Sequence, residues 1–234
     1  MYQNDKVCTS DSDAGTCTTM NGGSGVSNVD AMLFVSGRNT NCGPQTMAYA
    51  GSCSKDQNDR PITGHLNFCT IAQRIKTSAA DIAADVAMVA HEITHMLAFS
   101  SGHYAFYRDS NGAPRTPRDS SGNPPLINGV YVASNTTVAN FTERGHVVTK
   151  LVTPKVKAEV AAHFGCPGAN GGELEGSAGA VSSHWELRNM NGEFMNAVQS
   201  PFENAYSRIT LALFEDSGWY QADYSAATAL RWGR

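Results

Sequence analysis

Residues 78–99 constrain the fold more than any other stretch of the chain. Ile82, Val86, Val89, Ile93 and Leu97 recur at intervals of four, three, four and four residues, the period of one helix face carried over about four turns. Ser78-Ala79-Ala80-Asp81 just before them resembles a capping box, so the spacing predicts a helix that starts there. The same stretch contains His91-Glu92-Ile93-Thr94-His95. At 3.6 residues per turn the two histidines lie about 40° apart and roughly one turn up, so both imidazoles can reach one ion. The aliphatic stripe falls on the opposite side and reads as the core face. Ala84, Ala87 and Ala98 lie beside the histidines and leave room for a cleft. Glu92 flanks the pair without competing for the same coordination position.

Two neutral imidazoles with an open position suit zinc. The spacing does not choose the third ligand. A compact H-x-x-G-x-x-H pattern would need glycine at 98 and histidine at 101, where Ala98 and Ser101 stand. An acidic third ligand would be Glu159 on a second helix. His103 and His146 lie in loop-like sequence. His163 sits at the rim of an apolar stripe and reads as a core histidine, and His65 reads as structural within a strand. His184 follows a Gly/Ala/Ser loop from which a ligand can fold back.

The rest of the chain bounds the fold class. At 234 residues it makes one large domain or two small lobes. Lys+Arg 17 against Asp+Glu 21 gives a net charge of −4, the wrong sign for a nucleic-acid binder. No apolar run approaches the ~18 residues of a membrane helix, and Met1–Lys6 shows no signal-peptide core. Six cysteines, none in a C-x-x-C pair, and the sequons at Asn135 and Asn140 point to an oxidising, secretory compartment. Strands are expected at 29–35 and 64–70, and a long surface insertion from 101. A helix capped by Thr153 with Pro154 at its first position should bury Val156, Val160 and Phe164 and end at Gly165. Another should run from Ser207 to Asp216, closed by Gly218. No internal repeat is evident.

His91-Glu-Ile-Thr-His-Met-Leu-Ala-Phe-Ser100, Ser182-Ser-His-Trp-Glu186 and Glu193-Phe-Met-Asn196 together resemble leishmanolysin, a zinc metalloprotease family of the metzincin clan. Arg60-Pro-Ile-Thr-Gly-His-Leu-Asn-Phe-Cys69, His163-Phe-Gly-Cys166 and Ala212-Leu-Phe-Glu-Asp-Ser-Gly-Trp-Tyr220 extend the likeness from about Val29 to the end. The resemblance implies an α+β metzincin domain. Its N-terminal lobe, 1–100, would hold a twisted mixed sheet and the zinc helix. A surface insertion at 101–145 and a mainly helical C-terminal lobe at 146–234 would follow, with substrate lying in a cleft. It also implies one zinc ion held by His91, His95 and His184, with Glu92 as general base and Met195 as the structural Met-turn residue. The activity implied is that of an endopeptidase acting on polypeptides, monomeric, at the cell surface or outside the cell.

Two departures accompany the likeness. Ala98 replaces the family's usual glycine, and the chain shows neither the family's leader and propeptide nor its Cys-rich C-terminal domain, so it reads as a catalytic core. They motivate an alternative, a zinc-containing but inactive homologue serving as a cell-surface adhesion or binding module.

Overall fold

The computed structural model describes residues 6–8, 17–19, 26–69, 78–176, 181–198 and 204–234. The chain is α+β and divides into two units: residues 1–55 with 61–93, and residues 56–60 with 94–234. The division falls inside one unbroken helix.

In the first unit β1 (Lys6–Cys8) pairs antiparallel with β2 (Cys17–Thr19). A three-stranded sheet follows: β3 (Met32–Ser36), β4 (Ala48–Lys55) and β5 (Pro61–Phe68) in the order β3-β5-β4, with β3 parallel and β4 antiparallel to β5. The strand expected at 29–35 thus begins three residues late, and the one expected at 64–70 begins earlier. β4 had no sequence signal, because Ala48-Tyr-Ala-Gly-Ser-Cys-Ser-Lys55 is small and polar without alternation. Buried Asn67 ties β5 to the chain leaving β3. Its Oδ1 accepts from Ser36 Oγ at 2.8 Å and Arg38 N at 3.0 Å, and its Nδ2 donates to Arg38 O at 2.7 Å. A Cys42–Cys69 disulfide closes the same corner.

α1 (Ala79–Leu97) starts where the sequence predicts. Asp81 N donates to Ser78 Oγ at 3.1 Å, and the Ser78 hydroxyl donates to the Asp81 carboxylate at 2.7 Å. Its expected core face is not the buried one. Ile82 and Val86 are 52% and 62% exposed, while Met88, His91, Glu92, Thr94 and Met96 are buried. The periodic aliphatic stripe is real, but tertiary packing covers a different side.

In the second unit a short hairpin, β6 (Leu126–Ile127) and β7 (Val130–Tyr131), precedes a sheet of β8 (Val138–Glu143), β9 (His146–Leu151) and β10 (Gly172–Glu173), ordered β10-β9-β8 and antiparallel. The second sequon asparagine, Asn140, lies on β8. α2 (Pro154–His163), α3 (Leu187–Met190) and α4 (Arg208–Asp216) complete the unit. Val156 and Val160 of α2 and Ile209, Ala212 and Leu213 of α4 join one core with Phe99, Tyr104, Trp185 and Met195. The stretch expected as a surface insertion begins inside that core, since His103, Tyr104, Ala105 and Tyr107 are buried.

One turn is used three times. Asp56, Asp109 and Asp119 each accept, through Oδ1, the backbone N–H groups two and four residues on. The fourth position is left-handed in each: Asp59, Gly112 and Gly122, with φ of 64°, 80° and 81°. Arg108–Pro114 and Arg118–Pro124 thus form a short internal repeat that the sequence reading missed, and both arginines reach Asp59 Oδ2, at 2.7 and 3.1 Å.

Candidate metal centre

His91 and His95 stand one turn apart on α1, which runs unbroken through both. His184 meets His95 within the second unit, with the Nε2 atoms 3.1 Å apart and the rings nearly perpendicular at 83°. His91, His95 and His184 each offer one ligand atom, all within 4.8 Å of one another. Three such atoms so close together could hold a metal ion.

The surroundings suit ligation. His95 Nδ1 lies 2.7 Å from Phe99 O. A carbonyl only accepts, so Nδ1 carries the hydrogen and Nε2 presents its lone pair towards His184. His184 is delivered by a tethered segment. Tyr104 Oη donates to Ser182 O at 2.8 Å, Ser101 N donates to Ser183 Oγ at 3.0 Å, and Glu175 N donates to His184 O at 2.9 Å. Leu174 and Trp185 form an antiparallel bridge just beyond. The tethers draw on the segment expected to be surface, and on backbone groups that leave no mark in the sequence.

Glu92 is buried on α1, and burial pushes its carboxyl up to about 7, against the pull of a hydrogen bond from the Ala50 backbone N–H on β4. Met195 is wholly buried, with its N–H donated to Glu193 Oε2 at 2.6 Å and its carbonyl accepting from Trp185 N at 3.1 Å.

The other candidates are not among the three converging residues. Glu159 is held by Arg208 through two contacts of 2.8 and 2.7 Å. His103 Nε2 lies 3.2 Å from Met96 O, and His163 Nε2 lies 2.8 Å from Trp232 O. His65 lies on β5 with its ring edge-on to Tyr49, and His146 is exposed at the start of β9. Ala98, at the position of the expected glycine, is fully buried and is not among the residues with positive φ. The turn after α1 is therefore made without a left-handed residue at 98.

The leishmanolysin family model matches residues 2–113 and 129–234. The chain is 43% identical over 231 residues to a leishmanolysin-like peptidase of Drosophila melanogaster, an alignment covering 91% of this chain and 33% of that protein. It is 40% identical over 236 residues to a leishmanolysin-like peptidase of Caenorhabditis elegans, covering 93% and 35%. With the human ciliated left-right organizer metallopeptidase it shares 34% over 219 residues, covering 90% and 25%. The chain spans about a third of the length of these two curated leishmanolysin-like peptidases.

Proposed function

The chain belongs to the leishmanolysin family of metallopeptidases, and from that premise we propose that it is a zinc-dependent endopeptidase core whose ion is held by His91, His95 and His184. The observation that carries this reading is the convergence of three imidazole nitrogens within 4.8 Å, two from one helix and one from 89 residues away. Zinc, when bound, supplies Lewis acidity towards a scissile carbonyl and acidifies an attacking water. The chain's own residues do the rest. Phe99 O fixes the His95 ring and its tautomer. Glu92, the neighbour of His91, takes the proton from the attacking water and delivers it to the leaving amine. The Ala50 N–H holds the Glu92 carboxylate in place meanwhile. Met195 packs as the buried Met-turn residue. A cell-surface or extracellular setting accords with the Cys42–Cys69 disulfide.

Hydrolysis of dye-quenched casein tests the reading, with zinc content measured on the same samples. The wild-type chain is expected to cleave and to carry one zinc. Glu92→Ala is expected to keep zinc and lose cleavage by a factor of about 10² or more, and His184→Ala to lose the metal. Cleavage retained in Glu92→Ala would overturn the base assignment. A wild type that binds zinc and cuts nothing would overturn the protease reading in favour of the binding module.

A further inference from the structure

Behind the triad, a buried chain of hydrogen bonds joins the residue after His184 to the loop that carries Met195. Trp185 is fully buried, and its indole Nε1–H donates to Thr210 Oγ1 at 2.8 Å. An indole N–H only donates, so the single Thr210 hydroxyl hydrogen is directed onwards, to Glu193 Oε1 at 2.5 Å. The same oxygen accepts from Ser207 Oγ at 2.7 Å and Ser207 N at 3.3 Å, and the other carboxylate oxygen accepts from Met195 N. Glu193 and Thr210 are each 1% exposed. A carboxylate placed so deep, with a donor on every side, carries a desolvation cost that packing alone does not require.

The neighbouring backbone makes the link to His184 rigid. Trp185 N donates to Met195 O, and Asn196 Nδ2 donates to Trp185 O at 3.2 Å. Gly172 gives the indole its place, since a Cβ there would meet Trp185 Cζ3 at 2.6 Å.

We propose that Glu193 is a positioning residue: through Thr210 and Trp185 on one side and the Met195 amide on the other, it sets the placement of His184. The proposal rests on the reading of His184 as a metal ligand, and its test separates the two. The two arms of the relay reach the segment 184–185 and the loop 193–196 from the N-terminus of α4, so loss of either arm lets His184 drift relative to its partners. Ligand-orienting contacts of this kind typically matter 10- to 100-fold in metal affinity.

The experiment compares wild type, Glu193→Gln, Thr210→Val and Thr210→Ser. Imidazole resonances of His184 are recorded by nitrogen-15 NMR without metal, and zinc affinity is measured by competition with a chromophoric chelator. Glu193→Gln puts an amide donor against existing donors, Thr210→Val deletes the relay hydroxyl, and Thr210→Ser restores it. The expected result is displaced His184 resonances and zinc affinity weakened at least tenfold in the first two. Thr210→Ser is expected to match wild type in both readouts, a rescue that general destabilisation does not produce. Unmoved resonances and unchanged affinity in folded Thr210→Val overturn the proposal, even should Glu193→Gln not fold. A wild type that binds no zinc overturns the metal reading alone, and the resonances then still decide for or against the relay.

Discussion

Asp216, the last residue of α4, caps the first turn of α2: its Oδ2 accepts the backbone N–H of Lys155 at 2.7 Å and of Val156 at 2.9 Å. Thr153 occupies the N-cap position but makes no side-chain capping bond, and its buried hydroxyl is without a hydrogen-bond partner. The cap thus comes from 60 residues away and locks two helices together, while Arg115 reaches the other carboxylate oxygen at 3.6 Å. Asp216→Ala is expected to destabilise the chain by about 2–3 kcal/mol, since it strands the buried Val156 N–H, the part-buried Lys155 N–H and a cation. Thr153→Val, which removes an unsatisfied buried hydroxyl at nearly constant shape, is expected to be neutral or slightly stabilising. Urea unfolding of the two variants checks both, and equal losses would return the cap to Thr153.

On α1 the periodic stripe and the buried face are different residues. Val86 is 62% exposed and Met88 is 3% exposed. Val86→Ala is expected to change stability by no more than about 0.5 kcal/mol, whereas Met88→Ala is expected to cost about 2–5 kcal/mol. Thermal unfolding of both variants measures the contrast, and a larger loss at Val86 would restore the sequence-derived face.

These cases show where the sequence was informative. The helix starts at Ser78, Pro154 and Ser207 were legible because caps and proline act locally. The pairing of His91 with His95 was legible because helix geometry is fixed by spacing. By spacing alone His184 is one candidate among several, because its tethers are Tyr104, Ser101 and backbone amides brought together only by the fold. The β8–β9 hairpin was hidden by a turn of Arg144 and Gly145, with φ of 51° and 82°, that lacks the usual Asn-Gly signal. Phe99 O and the Ala50 N–H, which hold His95 and Glu92, are backbone groups that no residue type encodes.

The residue at 98 gives a further test. Ala98 N donates to Thr94 O at 3.0 Å and Phe99 N to the same oxygen at 2.9 Å, so the chain leaves α1 while still hydrogen-bonded to it. Its methyl is wholly buried. Ala98→Gly is expected to lower stability by about 1 kcal/mol, through lost burial and added backbone freedom, with no gain in casein hydrolysis. Faster cleavage by the glycine variant would show instead that alanine restrains the turn.

Glu193 should also leave a signature in the pH dependence of stability. Burial pushes its carboxyl from an ordinary 4.5 up to about 7, against the pull of hydrogen bonds from Thr210, the Met195 amide and Ser207. With the folded value above the unfolded one, the folded chain holds the proton more tightly between those limits. Its contribution is therefore fully present below pH 4.5 and is lost as pH rises through 7, a swing on the order of 3 kcal/mol. Groups common to both proteins cancel in the difference between wild type and Glu193→Gln, so that difference, measured in chelator at each pH, is the informative quantity. That difference is expected to shift against wild type as pH rises from 4.5 to 7 and to level off above. A difference that stays flat across this window would mean that the four donors hold Glu193 ionised throughout, and that the relay behind His184 carries a full negative charge even in weak acid.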